Sequence, residues 1–442
     1  MTKPLQIGAD VQLGAFVSAF RTPDLRKKLL FVLGIIAVFR IGSVVPTPGV
    51  DYGAVQTCLD QVQENPLLGL VNLFSGGALL QLSVFALGIM PYITASIIMQ
   101  LLTVVIPRLE SLKAEGQSGQ SKITQYTRYL TIGLSLLQST SILTIARTPG
   151  RLLPGCNEDL IPDESIFLLL VMVFTLTAGT SLIMWLAELV TERGVGNGMS
   201  VLIFTSIIAT FPGQLVNIWR SNGVWTFVLT LGVGIVTIMG VVFVEQAQRR
   251  VPVQYAKRMV GRRQYGGTST YIPLKVNMAG VVPVIFASSL LYIPTLVANL
   301  SNSTAGWAQW IAGNLTQGTE PVYMVIYAGL IIFFTYFYVA ITFNPKETAD
   351  NFKNYGGFIP GIRAGSPTEE YLQYVISRLT APGSLYLALI AVIPLIAFGL
   401  LGVGNRFLFG GTSLLIMVGV GLDTVKQIES QLQQRSYEGF LR

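Results

Sequence analysis

Ser165–Leu186 reads SIFLLLVMVFTLTAGTSLIMWL, 22 residues without one charged side chain. As a helix rising 1.5 Å per residue it spans about 33 Å, close to the roughly 30 Å of bilayer hydrocarbon. Several other windows of 17–22 residues are nearly free of charge. Outward from them the pattern persists. The chain is 51% hydrophobic and only 12% charged, against about 25% charged in a soluble domain. A chain of 442 residues is long enough for three soluble domains, but membrane bundles escape that rule and this one reads as a single membrane domain.

The windows place ten spans at approximately 29–45, 84–105, 129–146, 165–186, 199–218, 224–244, 278–298, 321–343, 382–401 and 407–425. With the N-terminus inside, 24 of the 29 Lys and Arg residues fall in inner segments. The outer loops hold only Arg147, Arg151, Arg220 and Arg406, and Arg40 lies in the first span. This is the asymmetry that the positive-inside rule demands, and one missed span would scramble it. Both termini are therefore expected on the cytoplasmic side. The organisation reads as a cytoplasmic segment 1–28, a first half 29–218, a second half 219–425 with inner loops 245–276 and 344–380, and a tail 426–442.

The first 28 residues lack a cleavable-signal pattern and end in Arg26, Lys27 and Lys28, which hold the N-terminus inside. Arg40 sits near the outer end of its span, where snorkelling relieves the cost of burying a charge. There is no histidine, so the commonest general base and metal ligand is missing. No GxxxxGK[ST] phosphate loop occurs. Cys58 and Cys156 have no CxxC or zinc spacing and are expected to be free thiols. No metal, cofactor or catalytic constellation is implied, and the chain does not read as an enzyme.

Pro66–Phe74 (PLLGLVNLF) is about two helical turns, too short to cross. It runs into Ser75-Gly76-Gly77, a flexible break. The residues alone leave two readings open, a re-entrant element or a helix lying on the membrane. Span two begins SVFALGIMPYITASIIMQ (83–100). Gly88 and Pro91 mark irregular backbone, which lipid tolerates only against protein or a cavity. Ile89 and Ile93 share a face, as do Met199 and Ile203 in span five. Thr94, Ser96 and Gln100 give span two a polar side, suited to helix contact or a wet path. Between spans four and five, ERGVGNGMS (192–200) follows no strand and reads as a tight turn with Asn197 or Ser200 capping the next helix.

The loop after span six is strongly basic. Arg249, Arg250, Lys257, Arg258, Arg262, Arg263 and Lys275 face one acid, Glu245. The alternation in Arg250–Tyr255 fits a short extended ribbon, so the loop is expected to project as a hairpin. Such a patch suits RNA phosphates, an acidic protein surface or anionic lipid; holding the loop inside would need fewer charges. The next inner loop is long and rich in glycine, with Arg363 alone at an apolar tip, a pattern that suits docking.

Taken in order, FALGIMPYITASIIMQLL, TERGVGNGMS, QRRVPVQYAKR, PLKVNMAGVVPVIFASS, FNPKETADNFK, GFIPGIR and FGGTSLLI closely resemble the SecY family, the channel subunits of the Sec protein translocase. The tail GLDTVKQIESQLQQRSYEGFL looks most like its cyanobacterial and chloroplast branch. The resemblance implies an all-α polytopic membrane protein with ten transmembrane helices in two pseudo-symmetric halves, spans one to five and six to ten, shaped as a clamshell around a central pore. It implies a pore ring of Ile89, Ile93, Met199, Ile203, Ile285 and Ile416. It makes 64–78 a plug, including Pro66, Leu67, Leu68, Leu70, Val71, Phe74, Ser75 and Gly76. It makes Thr94, Gln100 and Asn277 polar contacts of a lateral gate formed by spans two and three against seven and eight. It makes the basic loop and Arg363 the docking surface for the ribosome, through rRNA, or for the SecA ATPase. SecE and SecG are the expected small subunits, signal peptides and nascent chains the substrates, and lipid the sideways exit. The expected location is the bacterial plasma membrane or the thylakoid.

Two other classes compete. A secondary solute transporter would suit glycine-interrupted helices, but intramembrane carboxylates are missing and the inner loops are large and basic. An intramembrane enzyme would need HExxH, GxSxG or a histidine, none of which is present.

Overall fold

The computed structural model describes residues 22–61, 75–148, 158–163, 165–255, 258–260, 263–265, 269–300, 306–315, 320–400 and 411–438. Every expected span falls on a helix. Span one is Pro23–Gly42, span two Met90–Val105, span three Gln117–Ala146 and span four Ile166–Arg193. Span five is Gly198–Arg220 and span six Gly223–Gln246. Spans seven to ten are Val282–Leu300, Pro321–Thr342, Ser366–Leu400 and Gly411–Glu438. Among the described residues six helices are long and apolar enough to cross alone, and span two joins them if it is counted with the helix bent onto it.

The boundaries differ from the hydropathy windows for physical reasons. Spans three, four, nine and ten continue as helix into their polar flanks, where hydropathy falls but hydrogen bonding does not. Span two starts later than residue 84, at Met90. Gly88 has φ +57° and Leu82 φ +45°, conformations outside any right-handed helix, and Pro91 fits the first turn. At its other end Ile106 is extended before Pro107, and the short helix Pro107–Ala114 turns away by 99°. Gly223 (φ 81°, ψ 172°) makes the sharp corner between spans five and six.

In the first half, span three packs on spans two and four, and span four on spans one and five. In the second half, span seven packs on eight and eight on nine. Two seams join the halves. Span ten lies along the span five–six region, with Gly421 against Phe204 of span five. On the other side span seven meets spans two and three more sparingly.

The loops after spans six and eight build a small sheet. β1 (Gln248–Tyr255) pairs antiparallel with β4 (Ser269–Lys275), and β5 (Gly357–Phe358) of the next loop joins the other edge of β1. Between them β2 (Arg258–Val260) and β3 (Arg263–Tyr265) form a separate two-stranded ribbon. Val251 and Val253 point inward with Leu274, Ile359, Leu372 and Val375 as a satellite core, while Arg249 and Arg250 point out. The expected hairpin is present, and it is tied to the second loop and to the N-terminal part of span nine.

Cys58 is fully buried and disulfide-bonded, which corrects the expectation of a free thiol. Cys156, the other cysteine of the chain, lies outside the described residues.

Candidate functional site

Four helices send apolar side chains to one place. Ile89 (at the N-cap of span two), Ile93, Ile203 and Ile416 are buried in a single hydrophobic cluster, and Met199 and Ile285 pack against it. They come from spans two, five, seven and ten, which belong to both halves. Asn197 sets up the span-five pair: its Oδ1 accepts from the Met199 amide at 3.1 Å. Asn197, not Ser200, is therefore the cap. Gly198 allows the turn, because a side chain there would overlap the Ala187 carbonyl.

The segment 75–89 leads into this cluster just ahead of span two. It forms turns rather than regular helix, yet Ala78, Leu79, Leu82, Phe85, Ala86 and Leu87 are all buried. Close backbone approaches hold it. Val84 N donates to Val45 O at 2.9 Å and Thr47 N to Leu82 O at 3.0 Å. The Phe85 ring stacks on Phe39 with centroids 6.0 Å apart. Gly42 and Gly179 clear space for Phe85 and for the Val84 carbonyl. Of the residues read as a plug, Ser75 is buried and its Oγ accepts from the Leu79 amide at 3.1 Å. Gly76 has φ +68° and its carbonyl accepts from Arg40 Nη1 at 2.8 Å. Pro66, Leu67, Leu68, Leu70, Val71 and Phe74 lie outside the described residues.

The three polar residues read as gate contacts have different surroundings. Thr94 Oγ1 donates to Met90 O of its own helix at 3.0 Å. Gln100 is exposed to a cavity of about 420 Å³, lined also by Tyr92, Thr127, Tyr338 and Thr342 from spans two, three and eight. Asn277 is buried, and its Nδ2 donates to Glu245 Oε1 at 2.6 Å and to Gly280 O at 3.1 Å. Its amide nitrogen is thus spent within the second half, not on spans two or three. Only Gln100 is placed on the seam between the halves.

Of the docking residues, Arg249, Arg250 and Arg363 are exposed. Arg250 lies over the Tyr271 ring at 4.9 Å, a contact that keeps its charge at the surface. Arg258 and Arg263 lie on the small ribbon, in paired positions next to Tyr265 and Val260. Lys257 and Arg262 fall outside the described residues. Lys275 is drawn to Asp423 of the span-ten helix at 3.3 Å.

Three charged contacts escaped the sequence reading. Arg40 does not snorkel freely but donates to Gly76. Arg128 pairs with Glu188 through two bonds, 2.9 and 2.8 Å, joining spans three and four. Glu245 is buried against Asn277. Arg40 carried a signal, as the lone charge inside a span. Glu188 and Glu245 carried none, because they lie just past the apolar windows.

A solved protein-conducting channel matches this structure over 91% of each chain, with TM-score 0.62 and 17% identity. A second, from work on how the plug domain of SecY stabilises the closed channel, matches over 91% of each chain with TM-score 0.60 and 18% identity. Sec61 in a canine ribosome–channel complex matches at TM-score 0.57 and 16% identity, again over 91% of each chain. The fold is that of the multi-pass helical membrane channels, ten helices in two halves about a central pore.

The chain belongs to the SecY family, whose model matches residues 83–425. The protein translocase subunit SecY of Streptomyces scabiei is 65% identical over 437 residues, covering 97% of this chain and all of the relative. That of Mycobacterium tuberculosis H37Rv is 58% identical over 441 residues, with the same coverage. These relatives come from Streptomyces and Mycobacterium, not from the cyanobacterial and chloroplast branch that the tail suggested.

Proposed function

We propose that this channel passes unfolded secretory polypeptides through the apolar cluster of Ile89, Ile93, Met199, Ile203, Ile285 and Ile416, which acts as the pore ring. The observation that carries the reading is convergence: both halves contribute to one buried apolar contact, with no charged member. A constriction of apolar side chains excludes ions by dewetting and offers a moving chain nothing polar to grip. Met199 adapts its shape to such a contact more readily than a branched residue does.

In this reading residues 64–78 are the plug, and the thin seam of spans two and three against seven and eight is the lateral gate. Gln100 and its cavity sit on that seam; Thr94 and Asn277 stiffen its two sides. Apolar signal peptides and membrane segments leave through it into lipid. The exposed Arg249, Arg250 and Arg363, with Lys257, Arg258, Arg262 and Arg263, receive the SecA ATPase or ribosomal RNA. Those partners supply the energy, and SecE and SecG are the small subunits beside the channel. The cell membrane is the site of action, with both termini in the cytoplasm.

The test is translocation. Vesicles holding the chain with its copurifying small subunits, supplied with SecA and ATP, should accumulate an unfolded precursor beyond the reach of protease. Solute uptake without any protected precursor would instead establish a transporter. Replacing Arg262, Arg263 and Arg363 with Glu should weaken SecA or ribosome binding, and added salt should weaken the native contact. Unchanged affinity would remove the docking assignment.

A further inference from the structure

We propose that Arg40 is the positioning residue of the segment 75–89: its guanidinium holds the Gly76 carbonyl and so keeps the resting channel sealed. The inference rests on the plug reading above and adds to it the group that fixes the plug's inner attachment.

Arg40 is the one Lys or Arg inside the apolar window of span one, where an ion without a partner is disfavoured. Its Nη1 is 2.8 Å from the carbonyl oxygen of Gly76, a charge-assisted bond about twice as strong as a neutral one. The acceptor lies outside regular helix, where a backbone carbonyl depends on partners from elsewhere. Gly76 and Gly77, at φ +68° and +94°, give the chain its turn.

The fit is close on both sides. A Cβ on Gly76 would lie 3.0 Å from Arg40 Nη1 and 3.3 Å from Ser206 Cα. Gly76 is thus caught between span one and span five. Just before it, Ser75 Oγ accepts from the Leu79 amide, and the pairing of Ser83 with Pro46 fixes the far end. A guanidinium turned outward to lipid headgroups would leave the Gly76 carbonyl without this donor. The contact therefore links a lone intramembrane charge to the position of a turn, and the turn to whatever precedes it.

Single-channel recording in a planar bilayer of neutral lipid, on the channel with its copurifying small subunits, tests this. Such recording counts only inserted channels, so a loss of yield does not alter the readout. Arg40→Leu should raise the resting open probability by about ten- to a hundredfold, the worth of one hydrogen bond to a charged group. Arg40→Lys, which keeps a charge and a donor, should recover part of the closure. Gly76→Ala leaves Arg40 in place but forces a methyl group against it, and should also open the channel. If Arg40→Leu yields no inserted channels, Gly76→Ala decides alone. A chain lacking residues 64–74 is the reference. If that chain opens while Arg40→Leu and Gly76→Ala stay closed, the positioning role is wrong and the plug stands. No recovery by Arg40→Lys also counts against the role. If the shortened chain stays closed, the plug reading falls and takes this inference with it.

Discussion

The apolar ring and the segment 75–89 that leads into it are neighbours held by opposite means. The ring is made of side chains from four helices and both halves, joined by packing alone. The segment is held by backbone hydrogen bonds to Val45 and Thr47 just after span one, by the Phe39–Phe85 ring pair, and by Gly42 and Gly179 of spans one and four, cleared for close approach. Packing is non-directional and re-forms after parting. Hydrogen bonds and steric slots fix one position. The difference teaches which contact is built to part and which to stay with the first half.

The comparison can be broken at its stiffer side first. Phe85→Ala removes a buried ring stacked on Phe39 and should cost about 3–5 kcal/mol of stability, seen as a lower unfolding temperature in detergent. No change would show that the segment is not fixed there. Gly179→Val drives a side chain into the Val84 carbonyl and should cost about 1–3 kcal/mol, by the same measurement. Arg128→Leu leaves the Glu188 carboxylate, whose side chain is 17% exposed, without its partner. A loss of up to about 1–3 kcal/mol is expected; a smaller loss would place the rigidity of the first half in apolar packing. At the ring, Met199→Leu should cost less than about 1.5 kcal/mol and leave ion conductance unchanged. A large loss there would contradict the view that the ring needs only apolar surface of the right size.

Much of this architecture was legible in the sequence. The ten crossings follow from apolar windows, because bilayer thickness acts on composition, and the placement of Lys and Arg gives the direction expected of them. The i, i+4 pairs Ile89/Ile93 and Met199/Ile203 followed from helix period. That these pairs meet Ile285 and Ile416 came from the family resemblance, since periodicity cannot say which helices face each other. The start of span two was misjudged because Val84–Ile89 is apolar enough for lipid but is bent by Leu82 and Gly88. The disulfide at Cys58 escaped because cysteine spacing carries no distance. Asn277 was read as a polar gate contact; its bond to Glu245 was not legible, because it depends on where span six ends, which hydropathy blurs.

The central claim is that a polypeptide crosses through the ring of both halves. Photocrosslinking tests it most directly. A light-activated side chain placed singly at Met199, Ile285 and Ile416, and at Phe85 as the neighbour held aside, is irradiated with a precursor arrested midway. The account predicts adducts to the precursor from Met199, Ile285 and Ile416, and few from Phe85. Adducts to lipid alone from the ring positions, with the precursor equally arrested, would contradict it.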